Sequence, residues 1–163
     1  FVMNIGALNP NYLTPHFDSD QLSITEHRDI DNTIPEHLLD NAIILAHGLE
    51  HVRHACGDMP VFLTSGYRCP ELNLAIGGAT KSDHMLALAA DCHHAVLDVT
   101  GFFLHIYAKR ESIRYRQLIW EFGRWVHIAF EGEGTEPIDS INKVLIIRSK
   151  AEGYLSYREG VSL

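Results

Sequence analysis

Apolar residues recur every third or fourth position at Leu38, Ala42, Leu45, Leu49, Val52 and Cys56, forming one stripe along an amphipathic helix. Thr33 is a good N-cap for it, Pro35 suits the first turn, Glu36 completes a Thr-x-x-Glu capping box, and Gly57 supplies the stop. Upstream, Asn9-Pro10-Asn11 and Thr14-Pro15 mark an irregular start, and Asp18 to Thr25 reads as a short helix. Downstream, Val61 to Thr64 predicts a short buried strand, Pro70 to Ile76 a helix ended by Gly77-Gly78, and Leu88 to Cys92 another strand. Thr100 to Arg110 predicts a helix with Phe102, Phe103, Ile106 and Tyr107 inward. Gln117 to Phe122 and Trp125 to Phe130 form a hairpin around Gly123-Arg124, and Val144 to Arg148 is a last strand after a loop through Pro137. Helices first and mainly antiparallel strands later predict an α+β fold. With no repeat or low-complexity linker, residues 1–163 read as a single domain in which 131–163 add a C-terminal loop and strand.

Composition narrows what such a fold does. Hydrophobic residues make up 46% and charged residues 21%, values of a soluble globular protein. A net charge of −8 without a basic stripe speaks against nucleic acid and against an electrostatic grip on anionic membranes or wall polymers. The apolar stretch Leu86 to Ala108 contains Asp91, Asp98 and three histidines, so it predicts no membrane span. Phe1-Val2-Met3-Asn4 does not read as a secretory signal. Cys56, Cys69 and Cys92 lack CxxC spacing and read as reduced thiols. The 11 histidines are the first hint of metal chemistry.

Two motifs compete for the metal. His47-Gly48-Leu49-Glu50-His51 is an H-x-x-E-H pattern, with both histidines one helical turn apart. They lie off the apolar stripe, however, which is the pattern of a histidine-rich solvated face. The second is spread along the chain: Ser65-Gly66-Tyr67-Arg68, then Ser82-Asp83-His84, Asp91 seven residues after that histidine, and Trp125-Val126-His127.

In order and spacing these blocks resemble the zinc D-Ala-D-Ala carboxypeptidases and endopeptidases, most of all the branch common in phage lysins. Leu13-Thr14-Pro15-His16-Phe17 and Ile30-Asp31-Asn32 resemble phage members too, so the likeness covers roughly residues 13–130. It implies zinc held by His84, Asp91 and His127, in a fold shared with Hedgehog signalling domains. Two imidazoles and one carboxylate leave a tetrahedral zinc its fourth position for water. The chain departs from the family pattern at Ala87 and Leu88, where Gly and Glu are usual, and at Cys69, where Ser is usual. Cys92, His93 and His94 add potential ligands beside Asp91.

The resemblance further implies that Arg68 holds substrate and stabilises the oxyanion; Trp125 reads as lining the cleft beside substrate, and Ser82 as orienting either His84 or substrate. Many relatives carry an acid three positions before the last histidine; here Arg124 stands there, and the nearest carboxylate is Glu121 on the preceding strand. A two-residue turn at Gly123-Arg124 would pair Glu121 with Val126, on the face opposite His127, whereas a three-residue loop would pair it with Trp125, on the metal side. The resemblance favours the second register and makes Glu121 the general base, with Asp83 and Asp98 as fallbacks. The substrate it implies is a peptidoglycan stem or cross-link peptide, met at the cell wall by a protein made in the cytoplasm. A non-catalytic zinc-binding or wall-binding module of the same fold is the rival, and oligomeric state is left open.

Overall fold

The computed structural model describes residues 11–137, 142–157 and 163. Its elements are α1 (Ser19–Leu22), α2 (Leu39–Ala55), β1 (Val61–Ser65), α3 (Pro70–Ala75), β2 (Ala89–His94), α4 (Val99–Ala108), α5 (Arg110–Ile113), β3 (Gln117–Glu121), β4 (Trp125–Ala129), β5 (Lys143–Ile147) and β6 (Leu155–Ser156). Short 3-10 turns at Glu36–Leu38 and Asp83–Leu86 precede α2 and β2. The strands form one sheet in the order β1-β2-β4-β3-β5-β6, antiparallel except where β5 runs parallel to β3. The α+β expectation holds.

Strand alternation divides the chemistry between two faces. Val61, Ala90, Cys92, Leu118, Val126, Ile128 and Ile146 belong to the main core, together with Phe102, Phe103 and Ile106 of α4 and the stripe Ala42, Leu45, Leu49 and Val52 of α2. Asp91, Ile119, Glu121, Trp125, His127, Leu145 and Ile147 line the cleft on the other side.

Three local expectations are corrected. The Thr33 hydroxyl donates to Asp31 Oδ1 at 2.7 Å, so it caps nothing, and the chain enters α2 through Pro35 without a side-chain cap. A nearby aspartate competes with the helix for that hydroxyl. The helix expected to reach Arg110 ends at Ala108 and restarts as α5, and Asp98 is its N-cap, accepting from Gly101 N at 2.7 Å. The short strand β6 lay outside the expected elements.

The loop Ser65–Arg68 is pinned from behind. Tyr67 N donates to Leu22 O at 2.6 Å, and buried Asn32 donates through Nδ2 to Tyr67 O at 2.8 Å while its Oδ1 accepts from Cys69 N. A Cβ on Gly66 would overlap the Leu22 carbonyl oxygen, so the backbones approach closely only with glycine there. Gly66→Ala is therefore expected to cost about 2–3 kcal/mol, read as a Tm lowered by several degrees in thermal denaturation, as overpacking against backbone does.

Candidate metal centre

The cleft has a volume of about 1020 Å³ and runs across the open face of the sheet. At its floor the central strands β2 and β4 pair Asp91 with His127, and the turn before β2 brings in His84. His84 Nε2 lies 3.2 Å from His127 Nδ1 and 3.3 Å from Asp91 Oδ1, and His127 Nδ1 lies 2.9 Å from the same oxygen. Ligands about 2.0–2.1 Å from a tetrahedral zinc stand roughly 3.3 Å from one another, so this triangle fits the ion. His84 Nδ1–H donates to Gly66 O at 2.6 Å, which fixes the tautomer with its lone pair on Nε2, towards the other two donors. Two nitrogens and one carboxylate oxygen suit zinc over calcium or magnesium, which prefer all-oxygen shells. Among the described residues this is the group whose donor atoms converge closely enough to hold a metal.

Electrostatics agree with a cation site. Burial works to keep Asp91 protonated, but His84 and His127 hold its carboxyl well below the usual range. Full burial keeps His84 neutral, outweighing the Asp91 charge. Burial acts the same way on His127, yet its hydrogen bond to Asp91 carries its pKa upward. The second Asp91 oxygen accepts from Arg68 Nη2 at 2.5 Å, and Arg68 Nε donates to Ser65 Oγ at 2.8 Å. Both bonds orient the ligand carboxylate and leave Nη1 of Arg68 outside them.

The β3–β4 register is the one with a three-residue loop. Glu121 pairs with Trp125, and Ile119 with His127. Phe122 adopts φ 55° and Gly123 φ 65°, Arg124 N closes the turn on Glu121 O at 2.9 Å, and Phe122 stacks edge-on against Trp125. A left-handed phenylalanine costs on the order of 1 kcal/mol or more, which explains why Gly123-Arg124 looks in sequence like the whole turn. Glu121 thus faces the cleft with His127. Burial raises its pKa, partly offset by His127 and by the Trp125 indole N–H, which donates to Oε2 at 3.0 Å.

The remaining sequence candidates separate. Ser82 lines the cleft and its Oγ accepts from His84 N at 3.3 Å, capping the turn that carries the ligand. Asp83 is held by Arg116 Nε at 3.1 Å, and Arg116 also grips Glu131. This buried link between β3 and the His84 turn has no sequence signal, because its partners lie 33 and 15 residues apart. Asp98 caps α4 rather than facing the ligands. Cys92 and His94 point into the core, where burial pushes the Cys92 thiol up and His94 bonds Cys56 O; His93 shares the cleft face with Asp91. Cys69 takes over as N-cap of α3, its sulfur accepting from Leu72 N. His47, His51 and His54 are exposed on α2, and Glu50 is bound to His16 at 2.9 Å, so the H-x-x-E-H motif assembles no site.

Fold and donor set together define an α+β protein with a His–Asp–His group that could hold one metal ion, its donors suited to zinc. The Peptidase M15 family profile matches residues 15–129, and the chain belongs to that family. It is also similar to the zinc D-Ala-D-Ala carboxypeptidase of Streptomyces albus G, 41% identical over 51 residues. That match covers 31% of this chain and spans only 20% of the relative's length.

Proposed function

We propose that this chain is a zinc-dependent peptidase that hydrolyses peptidoglycan stem or cross-link peptides, in a lysin-like role. The observation that carries the reading is Glu121, a half-buried carboxylate on the same sheet face as the His84–Asp91–His127 group, paired with Trp125 two residues before His127. A cleft-facing carboxylate beside the metal-binding group supplies the general base that peptide hydrolysis needs, which favours the catalytic reading over the binding one. The peptidoglycan substrate is supported by the relative's name, and the lysin-like role by the phage-type blocks at Leu13–Phe17 and Ile30–Asn32.

When bound, zinc supplies Lewis acidity that polarises the scissile carbonyl and acidifies water. Glu121 takes a proton from the attacking water as its oxygen adds to the carbonyl carbon. The same carboxyl then passes that proton to the amide nitrogen as the C–N bond breaks, and the second proton of the water moves from the new acid to the amine, so the products leave as a carboxylate and an ammonium. Arg68, through the nitrogen not engaged by Asp91 or Ser65, steadies the negative charge on the carbonyl oxygen. Ser82 holds the turn bearing His84, and Trp125 orients Glu121 while offering its ring to substrate.

Digestion of purified sacculi, with the new termini identified by mass spectrometry, tests the reading; intact sacculi and intact stem peptides would refute it. A pH profile examines the base. Glu121 must be ionised to accept a proton, so activity is present above its pKa and falls as pH drops through it. Trp125→Phe removes a donor that stabilises the carboxylate, so the acidic limb of kcat/KM is expected to move to higher pH than in the wild type.

A further inference from the structure

The cleft has a wall that the family match does not include. Beyond residue 129, β5 lies parallel to β3 with Ile147 beside Glu121, and β6 pairs Leu155 with Ile146. Continuing that register by one residue places Tyr154 beside Ile147, so Trp125, Glu121, Ile147 and Tyr154 form one row across four strands on the cleft face. Tyr154 and Lys150 both line the cavity, with Gly153 between them at φ 69° turning the chain towards β6. Tyr154 is within electrostatic reach of the centre: partial burial, Glu121 and Asp91 raise its pKa, which keeps the hydroxyl protonated and able to donate. Among the described residues Lys150 has no ion-pair partner, in a chain of net charge −8, whereas Lys81 across the cleft is paired with Glu136 at 3.0 Å.

From this arrangement we infer that Lys150 and Tyr154 form a carboxylate-binding subsite on the leaving-amine side of the cleft. The inference rests on the peptidase reading for its direction. Glu121 hands its proton to the amine, so the residue bearing that amine lies on the Glu121 side of the metal ligands, towards β5 and β6. A lysine ammonium and a phenol hydroxyl offer four N–H and O–H donors, the complement of a free carboxylate. The substrate so selected ends one residue beyond the scissile bond, its terminal carboxylate at Lys150.

The test uses two synthetic stem peptides ending in D-Ala-D-Ala, one with a free C-terminal carboxylate and one amidated. Their dissociation constants are measured on zinc-loaded Glu121→Gln protein, which holds peptide without turning it over, and their kcat/KM on the Glu121 enzyme. The free acid is expected to be favoured by roughly tenfold or more, the usual worth of a charge-assisted hydrogen bond. Adding Lys150→Met or Tyr154→Phe should bring the acid-to-amide ratio towards one, chiefly through Kd and KM. Equal handling of the two peptides, or a ratio unchanged by both substitutions, overturns the subsite. If the Glu121 enzyme cleaves neither peptide nor sacculi while a Lys150-dependent preference persists in binding, the subsite stands and the peptidase reading falls.

Discussion

Alanine at His84 or His127 is expected to reduce bound zinc from about one per chain towards none after dialysis, and to abolish turnover. Each residue contributes one of the three converging donor atoms, and among the described residues no fourth His, Cys, Asp or Glu joins the triangle they form with Asp91. His93, a further imidazole on the cleft face, lies two positions past Asp91 on β2 and outside the converging group. Replacing both His47 and His51 by alanine should leave zinc content unaltered, since they stand exposed on α2 with Glu50 tied to His16. Elemental analysis of the three variants decides the matter; the opposite pattern would move the metal to the helix.

Glu121→Gln should lower kcat by on the order of a hundredfold or more, the usual worth of general acid–base catalysis. The amide retains the side chain's size, and its carbonyl oxygen can still accept the Trp125 indole N–H, so the hairpin has no reason to rearrange. What it loses is the capacity to carry a proton from water to the leaving amine. Zinc content and Tm are expected to match the wild type, because Glu121 lies outside the His84–Asp91–His127 triangle. Normal turnover in Glu121→Gln would remove the residue from the mechanism. Asp83, already bound by Arg116, would be a poor replacement.

Local pattern carried much of this molecule and failed in identifiable places. The α2 stripe, the two hairpin strands and the positions of His84, Asp91 and His127 follow from spacing and resemblance, because helical and strand periodicities and ligand order are written along the chain. The hairpin register was legible only through the family likeness: a phenylalanine in the left-handed region is invisible to turn preferences that look for glycine. Thr33 had the right neighbours for a cap and the wrong partner, since Asp31 stands two residues away and takes its hydroxyl. Arg116, Asn32 and Tyr154 act through residues dozens of positions distant or across several strands, and no window of sequence holds both ends of such contacts. β6 has two residues, too few for any alternation to register.

The span between the ligands also sets when the metal can act during folding. His84 and Asp91 are close in the chain, but His127 joins them only after β4 has docked against β2, a closure over 36 residues. The unfolded chain therefore lacks the finished His–Asp–His triangle, and the ion cannot template collapse through it as it does where all ligands fall within one short loop. Zinc held by this triangle would bind the native state in preference to the unfolded one, and so act as a brake on unfolding rather than a guide to folding.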